Sequence, residues 1–216
     1  MIEGKKLFIV VNVDWFFLSH RLPIAIAAKN AGFDVTIVSS DTGRSAEIES
    51  YGLKFIDAPF TRSGTNVLQE LSLINFLKKL YSRRQPDIVH HVTLKPSIYG
   101  SIAARQTGIK NVINAISGLG YNFTANRTGL KQHLLNLLLK RGFKSESLQF
   151  IFQNVDDQNL FKKLGLVKKD EQVHLIKGSG VDLNAFRFSP EPVGDKVKIL
   201  LPAGICYDNT NYNSLQ

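Results

Sequence analysis

Leu7-Phe8-Ile9-Val10-Val11-Asn12-Val13 is an apolar run rich in β-branched residues, and Ser19 to Ala31 follows it with apolar side chains at helical spacing. The run reads as a buried strand, and Gly32 is a good stop for the helix after it. Pro23 then falls near the first turn, where a missing N–H costs little. Phe33 to Ser39 is a second apolar run. Strand, helix and strand within about 30 residues is the length that a parallel βαβ crossover needs.

The alternation continues outward from this unit. Leu53 to Ile56 reads as a short strand, and Val67 to Arg84 as a helix with apolar Leu68, Leu71, Ile74, Leu77 and Leu80. Pro86-Asp87 ends it. Ile88 to Val92, Lys110 to Ala115, Leu148 to Phe152 and Val173 to Ile176 follow as strands. Helices are expected between them at Pro96 to Gly108, Leu130 to Lys144 and Asp156 to Leu164. Regular strand–helix alternation predicts a doubly wound, mostly parallel Rossmann-like α/β sheet with helices on both faces. Ser189 to Asp195 has linker composition, and Val197 to Leu201 starts another buried strand. The expected organisation is therefore a domain over residues 1–188, then a linker and the first strand of a second domain over 189–216. The stretch after Cys206 is polar and aperiodic.

Composition narrows the class. A chain of 216 residues with 44% hydrophobic and 21% charged residues can bury a full core. The single cysteine, Cys206, excludes an internal disulfide and a cysteine-built metal site. The opening residues do not read as a secretory signal, and no apolar run reaches the roughly 18–20 residues that cross a bilayer. The sequons at Asn122 and Asn126 therefore read as chance. The net charge of +9 favours phosphorylated ligands, anionic lipid or nucleic acid, depending on where the cations lie.

Open parallel sheets bind ligands beyond the carboxyl ends of their strands. The first such turn, Asp14 to Arg21, carries Trp15, Phe16 and Phe17 and no glycine. It cannot be the glycine-rich pyrophosphate turn of a dinucleotide fold. The aromatics read either as core or as the wall of a lipid or sugar site. His90 and His91, ahead of Lys95, can bind an anion or accept a proton. Strand alternation sends the two histidines to opposite faces, so one of them is expected to be structural. Ser117-Gly118-Leu119-Gly120 supplies small residues that let a ligand approach backbone, or simply a tight loop. Arg127 to Lys144 contains no acid, and its leucine-rich centre is flanked by Arg127, Lys131, Lys140, Arg141 and Lys144. That pattern suits a membrane-surface helix, and equally a core helix with solvated ends. Stacking aromatics do not interleave with these cations, which disfavours nucleic acid.

Taken in order, Phe17-Leu18-Ser19-His20-Arg21, His91 to Pro96 with Tyr99-Gly100, Ser117 to Gly120, Phe152-Gln153-Asn154, and Gly178 to Asp182 with Phe186 resemble family 4 glycosyltransferases of the GT-B fold. The likeness is to bacterial enzymes that build polysaccharides or glycans on lipid carriers, and it covers roughly residues 7–202. It implies an N-terminal domain that holds the acceptor and a C-terminal domain that holds a nucleotide sugar. Transfer would be retaining, without an obligatory metal. Ser19, His20, Arg21, Lys95, Ser117, Gly118 and Gly120 become expected acceptor-site residues, with His90 and His91 the catalytic candidates. Gly178, Gly180 and Asp182 would lie at the interdomain cleft. The expected donor is a UDP-sugar, an N-acetylhexosamine being the first choice, and the expected acceptor a lipid-linked saccharide. The setting would be cytoplasmic, peripheral on the anionic inner face of the plasma membrane.

The sequence departs from the family at one point. After the first strand of the second domain a glycine-arginine pair and a lysine normally hold the donor phosphates. Here Leu201-Pro202-Ala203-Gly204 is followed by Ile205, Cys206, Tyr207, Asp208 and Asn209. A frameshift or premature stop is the expectation, with little activity in the chain alone. Two other functions stay open: a non-catalytic membrane-surface module that captures a lipid-linked saccharide, and a sugar-nucleotide epimerase of the same fold.

Overall fold

A computed structural model describes residues 2–60, 67–118 and 130–190, with the side chains of residues 67 and 130–135 outside that description. The chain runs β1 (Lys6–Val13), α1 (Asp14–His20), α2 (Leu22–Asn30), β2 (Asp34–Ser40), α3 (Ser45–Ser50), β3 (Lys54–Asp57), α4 (Val67–Arg84) and β4 (Ile88–Val92). It continues α5 (Leu94–Thr107), β5 (Asn111–Ile116), α6 (Leu130–Gly142), β6 (Leu148–Phe152), α7 (Val155–Lys163), a 3-10 turn (Asp170–Gln172) and β7 (Val173–Leu175). The strands form one seven-stranded sheet in the order β3-β2-β1-β4-β5-β6-β7. Every neighbouring pair is parallel. The order reverses between β1 and β4, which places the topological switch point there.

Alternation along the strands divides the core in two. On one face Leu7, Ile9 and Val11 of β1 pack with Phe17 of α1, Ala25 of α2 and Ile48 of α3. On the other, Phe8, Val10 and Val89 pack with Leu77 and Tyr81 of α4, Ile98 and Ile102 of α5, and Phe161 of α7. Phe143, Phe150, Phe152 and Phe161 make a ring cluster with centroids 5.0–6.1 Å apart, most of its contacts edge-to-face. Burying each of these rings stabilises the fold by roughly 2–3 kcal/mol. Over β5–β7 the face opposite that cluster carries half-buried Ile113 and Ile151, which with Gln149 and His174 line a depression of about 560 Å³.

The single helix expected over Ser19 to Ala31 is two helices. The first begins at Asp14, directly after β1, and breaks at Arg21 (φ −128°, ψ −11°). Pro23 explains the break: it has no N–H for the Ser19 carbonyl, and its ring would collide with that carbonyl in a continuous helix. Helix α3 carries too short a period to stand out in sequence.

The compact unit spans Met1–Gly180, and a second unit begins at Val181. The sequence puts the boundary at 188, on the proline-rich composition; residues 181–190 are all exposed. In this second unit Asp182 builds a turn, its carbonyl accepting from the Phe186 N–H at 2.8 Å and its Oδ1 from the Asn184 N–H at 2.8 Å. The expected strand at 197–201, Cys206, Gly120, Arg127 and the side chain of Lys131 lie outside the described residues. Among the described residues no helix is long and apolar enough to cross a membrane.

Candidate functional site at the carboxyl edge of the sheet

Asp14 sits at the mouth of β1 and is fully buried. Its carboxylate accepts from the Thr42 N–H and Thr42 Oγ1, both at 2.6 Å, from the Arg44 N–H at 3.1 Å and from the Trp15 N–H at 2.7 Å. One side chain thus ties the exit of β1 to the loop after β2 and fixes the floor of the carboxyl edge. No motif in the sequence marks this residue. An acid immediately after a buried strand was the available signal.

The three aromatics of the turn differ in burial, and Phe16 packs against the core. Phe17 is core, Trp15 is 37% exposed, and Phe16 stacks on His20 at 4.4 Å with the rings 11° apart. Ser19 bonds back to the Trp15 carbonyl at 2.9 Å and contacts His20 Nδ1 at 2.7 Å. Its hydroxyl is occupied in holding the end of α1.

His90 and His91 do point to opposite faces. His91 is fully buried between Asn114 Oδ1 on its Nδ1 and the Tyr81 hydroxyl on its Nε2, each 2.9 Å away. With Nδ1–H donating to Asn114, Nε2 accepts from Tyr81. A Cβ on Gly100 would collide with this ring, so the glycine is required by the packing. Burial pulls the His91 pKa down to about 4. His90 lies on the α1–α3 face, 8% exposed, with Nε2 buried and unpartnered. Burial first, then the charge of Arg21 and the neighbouring His91, pull it down to about 3. Both imidazoles are neutral at physiological pH.

Arg21, at the helix break, is 5% exposed. Its Nη1 donates to Ser179 Oγ at 2.8 Å and to the His20 carbonyl at 3.2 Å. This brings the β1 turn together with the Gly178–Gly180 stretch. Gly178 and Gly180 adopt φ of +73° and +71° with open space around them.

Thr93 closes β4 at φ +72°, a conformation that a β-branched residue adopts only under strain of about 1–3 kcal/mol. Its N–H donates to the Ala115 carbonyl at 3.0 Å, and its hydroxyl is buried without a partner. Two residues on, Lys95 pairs with Glu70 of α4 at 2.7 Å, both partly buried. Glu70 also hydrogen-bonds Tyr99, whose hydroxyl is pushed well above the usual phenol range by burial and by that carboxylate. Glu70 carried no sequence signal. Ser117 is half-buried and Gly118 exposed at φ +99°, open to solvent at the end of β5. A second concavity, about 440 Å³ and lined by Lys6, Asp34, Lys54 and Arg84, lies at the amino ends of the strands, away from this edge. Lys54 and Asp34 in it pair with each other at 2.6 Å.

Lys140, Arg141 and Lys144 are exposed at the end of α6, with Leu137 57% exposed beside them. No cluster of three or more His, Cys, Asp or Glu side chains suited to a metal ion occurs among the described residues.

A seven-stranded parallel sheet with its order reversing between β1 and β4 defines a Rossmann-like domain. Residues 6–154 match the glycosyl transferase 4-like family, and the chain belongs to it. Among curated relatives, an Escherichia coli protein named as UDP-Gal:alpha-D-GlcNAc-diphosphoundecaprenol alpha-1,3-galactosyltransferase is 23% identical over 99 residues, 46% of this chain and 26% of its own. A Bacillus subtilis (strain 168) protein named as glycosyltransferase EpsD is 22% identical over 184 residues, 85% of this chain and 46% of its own. A glycosyltransferase structure from Rickettsia africae superposes with a TM-score of 0.56 at 16% identity, over 86% of this chain and 47% of its own. The UDP-GlcNAc 2-epimerase of Methanocaldococcus jannaschii superposes at 0.53 with 17% identity, over 79% and 45%. The chain spans less than half the length of each, and the two structural likenesses establish the fold: half of a GT-B structure.

Proposed function

We propose that this chain is the acceptor-binding half of a retaining glycosyltransferase that moves a sugar from a UDP donor to a lipid-linked saccharide. The observation that carries the reading is the concentration of buried, unpartnered polar groups at the switch point of a glycosyl transferase 4-like domain. Such an edge is where this architecture holds ligands. The name of the Escherichia coli relative, with its diphosphoundecaprenol-linked acceptor, supports the acceptor class. Arg21, Ser117, Gly118 and the Lys95–Glu70 pair would orient the acceptor, with His90 close enough to Arg21 to feel its charge. Donor phosphates would be held by cations of the other half; none stand between Gly204 and Asn209 here. The exposed Leu137 with Lys140, Arg141 and Lys144 would rest on an anionic membrane surface.

A second reading, a membrane-surface module that captures a lipid-linked saccharide without chemistry, is favoured by that same missing phosphate clamp. Transfer of labelled sugar from UDP-N-acetylhexosamines to extracted membrane lipid separates the two. The assay compares this chain with the same chain joined to the donor-binding half of a family member. Transfer only by the joined chain is the expected result. Transfer by this chain alone would overturn the assignment of donor binding to another half, and silence from both would leave the capture module as the better account.

A further inference from the structure

Buried charge is costly unless something answers it, which makes Arg21 the least settled group in the domain. The residue is 5% exposed. Among the described residues no carboxylate pairs with it: its hydrogen bonds go to a hydroxyl and a backbone carbonyl, and Nε has no partner at all. The nearest acid in sequence, Asp14, is spent on Thr42 and Arg44.

Arg21 is not alone. Four of the five buried side-chain atoms without a partner among the described residues are Asn12 Oδ1, Arg21 Nε, His90 Nε2 and Thr93 Oγ1. All four lie on β1, on β4 or in the segment directly following one of them. Parallel register sets Val10 beside His91, which brings Asn12 and Thr93 to the same level of the edge. The fifth is Asn114 Nδ2 on β5, whose Oδ1 is engaged by His91 and Ser101; other buried polar groups are satisfied, as Gln172 is by the Leu148 carbonyl. Native interiors leave few such groups unpaired, so Arg21 Nε and His90 Nε2, with the ring close enough to feel the charge of Arg21, mark a place for a ligand.

We propose that Arg21, held by Ser179 and flanked by the imidazole of His90, is a diphosphate-binding subsite. A guanidinium presents its donors in a fork that matches phosphate oxygens. A neutral imidazole beside it can donate one further N–H without adding a second buried charge. The unstrained fit of Gly178 and Gly180 at positive φ, with open space at both, keeps side chains out of the approach. The diphosphate belongs either to a prenyl-linked acceptor or to a nucleotide donor. Assigning it to the acceptor rests on the function proposed above; the anion site itself does not.

The test is thermal unfolding of this chain with inorganic diphosphate, with UDP and with geranyl diphosphate as separate titrants. A ligand that binds the folded chain alone raises the midpoint as RT ln(1 + [L]/Kd), with no catalysis needed. Wild type should be stabilised by diphosphate, whereas Arg21→Met should show no response and an unliganded midpoint no lower than wild type, because an unanswered buried charge has been replaced by an apolar chain of similar size. A geranyl diphosphate Kd at least tenfold below that of UDP assigns the acceptor; the reverse order keeps the subsite, assigns it to the donor and removes the acceptor part of the reading. If Arg21→Met does not fold, Arg21→Lys replaces it and should bind roughly tenfold more weakly through loss of the fork. No response in wild type, or an equal response in the Arg21 variant, overturns the subsite and leaves Arg21 as a clip between the β1 turn and Ser179. Neither outcome bears on the sugar-transfer assay.

Discussion

Lowering the pH from 6.5 to 4.5 is expected to remove about 4 kcal/mol of folding stability through two histidines alone. The sign follows from burial. Both His90 and His91 have folded pKa values depressed from 6.5, to about 3 and about 4. In the unfolded chain they take up protons as the pH falls through 6.5, while the folded chain refuses them until the lower values are reached. Their stabilisation is therefore complete above 6.5 and is lost on the way down, at a limiting slope of about 1.4 kcal/mol per pH unit for each group. Urea unfolding across this range should show it. His91→Gln, whose amide can still reach Tyr81 and Asn114, should lose about half of the dependence. An unchanged slope in that variant would show that His91 is not held neutral by the core.

Asp14→Ala should cost about 4 kcal/mol, the loss of a charged acceptor from several donors at roughly 1.5–3 kcal/mol each, less what water recovers. The Thr42 N–H, Thr42 hydroxyl and Arg44 N–H all converge on that carboxylate across the gap between β1 and the loop after β2. Asp14→Asn, keeping one acceptor but turning an NH₂ toward N–H donors, should fall about midway. Denaturant unfolding measures both. A cost under about 1 kcal/mol for Asp14→Ala would mean that the loop is held by other contacts, and that the floor of the carboxyl edge does not depend on this residue.

How far the sequence announces this molecule depends on the range of the interactions involved. Strand runs such as Leu7 to Val13 and the period of Val67 to Arg84 are local patterns, and both elements stand where the pattern puts them. The opposite facing of His90 and His91 follows from strand alternation alone, and the structure adds which of the two is the satisfied one. The helix break at Arg21 is written in Pro23 but is masked by apolar spacing that continues across it. The pairing of Arg21 with Ser179 joins positions 158 residues apart, and Glu70 meets Lys95 across two helices. No periodicity or turn chemistry encodes such meetings; they exist only once the sheet has assembled and distant segments reach its carboxyl edge.

Acceptor binding by this domain, as proposed, requires that it prefer a prenyl-linked sugar to a nucleotide sugar. Equilibrium binding of a short-chain prenyl-diphosphate-GlcNAc, set against UDP-GlcNAc on the same chain, tests it most directly. Saturable binding of the prenyl-linked sugar, at least tenfold tighter than that of the nucleotide sugar, is the expected result. Tight binding of UDP-GlcNAc with indifference to the prenyl-linked sugar would contradict it, and would make the carboxyl edge a nucleotide-sugar site.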